Sequence, residues 1–137
     1  MQEANTQTHI NQITLRSIDL TESEAFFDII FKHLGLEKKD VTNNKSGTTL
    51  SYWGAFGLMI TEQKDMLVHL EPYHRPGIVR LSVRVGTRKL INDLFEELKE
   101  LNYKFAWEPK DSQYAEGYYS VCLLDPDENE FEIVYID

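Results

Sequence analysis

With 137 residues, 42% of them hydrophobic and 27% charged, the chain has the make-up of one globular domain. A formal net charge of −9 argues against nucleic acid as a partner, because phosphates need a basic surface. The single cysteine, Cys122, excludes an internal disulfide or a cysteine-rich zinc site, and the longest apolar runs ("LMI", "VCLL") are too short to cross a bilayer.

The polar start "MQEANTQTHI" has no apolar signal-like stretch, so the expected location is cytoplasmic with no membrane partner. Residues 1–8 are expected to be a flexible tail. "HINQITLRSID" then reads as a strand, with Ile13 and Leu15 on one face and Gln12, Thr14 and Arg16 on the other. "TESEAFFDIIFKHLG" reads as a helix. Thr21 and Glu24 form a capping-box pattern, Phe26, Phe27, Ile30 and Leu34 recur at helical spacing, and Gly35 supplies the stop. His33, near that helix's end, is expected to be exposed. "LEKKDVT", "TTLSYWG" and "AFGLMITE" read as strands, the first two joined by the turn-forming "NNKSG".

Pro72, Pro76 and Gly77 punctuate a linker, after which the same order returns. In "IVRLSVRV", Val79, Leu81, Val83 and Val85 alternate with Arg80, Ser82 and Arg84, so an apolar face backs a face carrying two guanidinium groups. Thr87 caps a helix with apolar positions Leu90, Leu94, Leu98 and Leu101. "YKFAW", "GYYSVCLL" and "EFEIVYI" follow as strands, with the turn "DPDEN" before the last. The pattern "QITLR" at 12–16 repeats as "RLSVR" at 80–84, an offset of 80 − 12 = 68, and the same offset carries Phe27 onto Phe95. This predicts an α+β fold of two tandem βαβββ modules whose curved sheets enclose a cleft. The first module covers residues 9–66, the linker 67–77 and the second module 78–137.

Each module places a polar residue on its first strand and a glutamate on its last: Gln12 with Glu62, and Arg80 with Glu132, at separations of 50 and 52 residues. If the repeats share geometry, these four side chains converge. Cys122, in an apolar strand with no histidine near it in sequence, reads as a small buried hydrophobe.

In "QITLRSIDL", in "YHRPGIVRLSVRV" and most of all in "GYYSVCLLDPDENEFEIVY", the chain resembles the glyoxalase/bleomycin-resistance/extradiol-dioxygenase (vicinal oxygen chelate) superfamily from about Ile10 onward. That resemblance implies curved sheets around a cavity, a homodimer, and a divalent metal at four positions, here Gln12, Glu62, Arg80 and Glu132. Glutamine and glutamate suit nickel, zinc, manganese or iron. Arginine has no lone pair to offer and repels a cation, so no metal cofactor is expected, and Arg80 is expected to pair with Glu132 or Glu62 instead. Any catalysis would rest on Glu132, Glu62 and Arg80. Gln12, Arg80, Arg84, Trp53, Phe56, Tyr118 and His74 are the candidates for contact with a small organic ligand. A second departure is Glu128, which stands where the superfamily favours a turn glycine, so its φ is expected to be positive. The resemblance leaves three functions: a lyase- or isomerase-like enzyme with a degenerate metal site, a drug- or metabolite-sequestering protein whose acidic surface suits cations, or a metal-dependent lyase or dioxygenase.

Overall fold

The computed structural model describes residues 10–44, 47–62, 80–113 and 115–137. Its elements run β1 (Gln12–Ser17), α1 (Leu20–Leu34), β2 (Glu37–Asn44), β3 (Gly47–Trp53), β4 (Gly57–Glu62), β5 (Arg80–Arg84), α2 (Arg88–Glu100), β6 (Phe105–Asp111), β7 (Tyr118–Leu124) and β8 (Glu130–Ile136). The βαβββ order thus occurs twice, as the repeat predicts. One sheet has the order β1-β4-β3-β2 and the other β5-β8-β7-β6. The first and last strands of each module are parallel, β1 to β4 and β5 to β8, and the remaining neighbours are antiparallel.

Helix α1 starts two residues earlier than the capping box suggests. Its cap is Asp19, whose carboxylate accepts the amides of Thr21 at 3.0 Å and Glu22 at 3.2 Å. A charged acceptor at the positive end of the helix outcompetes the Thr21 hydroxyl. Gly35 ends the helix at φ 75°, the left-handed conformation that makes glycine the fitting residue there. Thr87 caps α2 as expected, accepting the Leu90 amide. Leu94 and Leu98 are buried along with Ile91 and Phe95, but Leu101 is 55% exposed. It caps the helix end rather than continuing the apolar stripe, and Asn102 beyond it turns at φ 63°.

One core serves both modules. The Phe27 ring lies edge-on to Phe131 of β8 at 5.2 Å, and Phe26 contacts Tyr103 at 5.2 Å. Phe31 reaches back to Tyr52 in the first sheet at 4.7 Å. The helices are also clasped by charge: His33 Nε2 lies 2.6 Å from Glu97 Oε2, with Lys32 at 3.7 Å from the same carboxylate. His33 is therefore a half-buried partner of α2 rather than a free surface residue. Its hydrogen bond is the chief cause that holds the Glu97 carboxyl below the usual range.

The "DPDEN" turn is built around Asp125, which accepts the amides of Asp127 and Asn129 at 3.0 and 2.7 Å and the Asn129 side-chain amide at 2.9 Å. Glu128 sits at φ 66°, as expected of a residue in the glycine position. Among the described residues, no helix is long and apolar enough to cross a membrane.

Candidate functional site

Side chains alternate between the two faces of a strand. In β1 and β5 the odd-numbered residues Ile13, Leu15, Leu81 and Val83 pack against the shared core. The even-numbered residues Gln12, Thr14, Arg16, Arg80, Ser82 and Arg84 are turned outward and exposed.

The outer face of the second sheet carries a closed polar network. Across the parallel ladder, Arg80 faces Glu130 and Ser82 faces Glu132. Glu132 is 7% exposed. Its Oε1 accepts hydrogen bonds from the Ser82 hydroxyl at 2.6 Å and the Tyr118 hydroxyl at 2.7 Å, and its Oε2 accepts one from Ser120 at 3.3 Å. Trp107 Nε1 in turn donates to Ser120 Oγ at 3.1 Å, so the indole fixes the hydroxyl that fixes the carboxylate. Arg80 donates to Glu130 at 3.4 Å and lies 4.8 Å above the Trp107 ring. Burial disfavours its charge, but the Glu130 carboxylate more than offsets this and raises the guanidinium pKa. Cys122 is fully buried beside Glu130, and burial, reinforced by that carboxylate, pushes its thiol up to about 11. It is a buried hydrophobe, as its strand context suggests.

The partner of Arg80 is therefore Glu130, not Glu132 or Glu62. Glu130 was legible in "EFE": two glutamates two residues apart share a face, and the ladder selects the first of them. The first sheet corrects the pattern further. Gln12 stands opposite Gly57, while Glu62 stands opposite Ser17. These two pairs are at opposite ends of the ladder and on opposite faces, so Gln12 and Glu62 do not come together. Glu132 lies two residues beyond the partner of Arg80. The residue two beyond the partner of Gln12 is Met59. Trp53 shares the face of Gln12 across Gly57, whose missing side chain makes room for the indole: a Cβ there would fall 2.4 Å from the ring.

Arg84 and Phe56 both border a third place. β1 and β5 are edge strands of their sheets, and between them and the helices lies a cleft of about 530 Å³. Ile13 and Phe56 line it from the first module, Leu34 from the end of α1, and Leu81, Val83 and Leu90 from the second module, with Ser82 and Arg84 as polar members. Apart from Glu62, on the opposite face of the first sheet, the expected residues that the structure describes fall into three places. Arg80, Glu132 and Tyr118 gather on the second sheet, Gln12 and Trp53 on the first, and Arg84 and Phe56 at the cleft. His74 lies outside the described residues.

These donors do not fit a divalent metal. The equivalent positions offer Gln12, Met59, Arg80 and Glu132: one carboxylate already held by three hydroxyls, a thioether and a guanidinium, split between two outward faces. Among the described residues no group of three or more His, Cys, Asp or Glu is gathered to hold an ion. Metal-stripped protein is expected to unfold at the same temperature with or without Ni²⁺, Zn²⁺, Mn²⁺ or Fe²⁺. Arg80→His alone is expected to change nothing, because Met59 still supplies no hard ligand. A wild-type midpoint that rises with one of these ions, and no longer rises in Glu132→Ala, would overturn this.

No family model matches the sequence, and no curated protein matches it. Solved structures do match. A proposed glyoxalase from Bacillus halodurans superposes with a TM-score of 0.79 at 23% identity, covering 94% of this chain and 96% of that one. A glyoxylase/bleomycin resistance protein/dioxygenase domain from Frankia sp. EAN1pec gives 0.79 at 16% identity over 95% and 93%. Lactoylglutathione lyase from Agrobacterium tumefaciens gives 0.64 at 17% identity over 93% of each chain.

Proposed function

We propose, on the premise that this chain has the fold of the glyoxalase/bleomycin-resistance/dioxygenase proteins, that it binds a small organic molecule in the cleft between its two modules. The cleft itself carries the reading. Its volume falls in the range of small-molecule sites, and its lining is mostly aliphatic, with Phe56 as an aromatic member and Ser82 and Arg84 as polar ones. Fold alone assigns no chemistry. Ser82, one of the residues that line the cleft, is hydrogen-bonded on the outer face of its sheet to Glu132, the buried carboxylate nearest the cleft's polar residues. An enzyme working here would be a metal-independent lyase or isomerase with Glu132 as the proton-handling group. Without turnover, the same cleft is that of a sequestering protein. The open edges of β1 and β5 would be covered in a homodimer, and we place the protein in the cytoplasm.

The test is a neutral apolar dye, N-phenyl-1-naphthylamine, whose fluorescence rises in apolar surroundings. Saturable binding is expected, weakened about tenfold or more by Phe56→Arg, which sets a charge in the apolar wall. Equal binding by both proteins, with circular dichroism showing both folded, would overturn the reading.

A further inference from the structure

We infer that the ligand is an apolar molecule ending in a carboxylate, and that Arg84 receives that carboxylate; this rests on the cleft being the binding site.

Three other described cations close to the sheets are already engaged, and Arg16 of β1 is not among the residues that line the cleft. Arg80 is held by Glu130 and Trp107, and Arg88 by Asp111 at 3.1 Å with Tyr119 beneath it. Lys38 bridges Glu24 and Asp28 at 3.0 and 3.1 Å. Arg84 differs. Among the described residues its hydrogen bonding is a single long contact, 3.3 Å, donated to the Ile136 carbonyl, and no carboxylate pairs with it. Most of its N–H donors are uncommitted, and they are arranged in the planar fork that suits a carboxylate. Arg84 is also the one charged residue among the described residues that line the cleft. Ser82, the other polar lining residue, directs its proton to Glu132 and cannot also donate to an anion. The donor left for a charged ligand end is Arg84.

The opposing effect is the Glu132 charge, behind Ser82 and one same-face step from Arg84, about 7 Å along the strand. A ligand carboxylate in contact with the guanidinium sits at about 3–4 Å. At equal screening the attraction exceeds the repulsion roughly twofold, because Coulomb energy falls as the inverse distance. The residue across the ladder from Arg84 is Val134, which adds no charge. The whole-chain charge of −9 would favour cations at the surface, but the cleft carries the opposite sign.

The experiment displaces bound N-phenyl-1-naphthylamine from the full chain with matched pairs, 2-naphthoate against 2-naphthalenemethanol and decanoate against decanol. In wild type, each acid is expected to displace the dye at about tenfold lower concentration than its alcohol, an advantage that shrinks as salt is raised. Arg84→Gln is expected to bring the members of each pair together, and Arg84→Lys to retain part of the preference. Acids and alcohols that displace equally in wild type would overturn the carboxylate inference while leaving the cleft in place. An acid preference undiminished in Arg84→Gln would overturn the role of Arg84. A dye that does not bind saturably removes the cleft reading, and this inference with it.

Discussion

Phe27→Ala is expected to lower the unfolding free energy by about 3–5 kcal/mol, and to do so for both modules at once. Phe27 is 1% exposed, and its ring meets Phe26 at 5.1 Å, Phe31 at 5.5 Å and Phe131 at 5.2 Å. Phe26 and Phe31 share its helix, but Phe131 belongs to the last strand of the other module. Truncation therefore opens a cavity at the seam, where neither module can collapse into it alone. Its repeat mate Phe95 is 8% exposed and packs at a tilt against Phe105 at 4.9 Å, a contact within its own module. Phe95→Ala should cost less. The two tryptophans report the modules separately, Trp53 the first and Trp107 the second. Urea unfolding of Trp53→Phe and Trp107→Phe should give coincident transitions, both shifted by Phe27→Ala. Two separated transitions would show that the modules do not share one core.

Stability is expected to fall as pH rises from about 4 to 6, through Asp125. Its carboxyl is 5% exposed, and burial pushes its pKa up to about 6 from an ordinary 3.8, against the lowering effect of the amides it accepts. The folded state thus holds a proton in a window where the unfolded chain has released it. Stability is full below the unfolded pKa and declines until the folded pKa is passed. A shift of about two units corresponds to roughly 3 kcal/mol. Glu97 acts with the opposite sign: its carboxyl is held low first by His33, and the stability this contributes is lost as pH falls through its folded pKa. The readout is therefore the difference between wild type and Asp125→Asn, whose amide keeps the shape but cannot ionise. Urea midpoints should converge or cross between acid and neutral pH, with the variant gaining on wild type as pH rises. Parallel curves would place the carboxyl in an ordinary environment.

The two results bear on different layers of the chain's logic. Phe27 was legible as a core residue from helical spacing, and as the mate of Phe95 from the repeat. That its ring crosses to Phe131 was not, because nothing local records how two modules dock. The turn at Asp125 shows the reverse. Its sequence announced a tight turn with strain at Glu128, and the φ of 66° follows from the local backbone alone.

What the sequence by itself determined is the set of elements and their repetition. Alternation in "RLSVR", helical spacing in both helices and turn chemistry between strands act over a few residues, and the α+β, twice-βαβββ architecture follows from them. The site depended on the tertiary structure, because it depends on register across about 50 residues of chain. A strand has a period of two, so one residue of offset moves a side chain to the other face. Gln12 pairs at an offset of 57 − 12 = 45 and Arg80 at 130 − 80 = 50, an odd and an even step. That difference sends Glu62 to the far face, puts Met59 where a carboxylate was expected and gives Arg80 to Glu130. The same register sets Arg84 opposite Val134 rather than opposite a glutamate, and among the described residues its hydrogen bond goes to the Ile136 carbonyl.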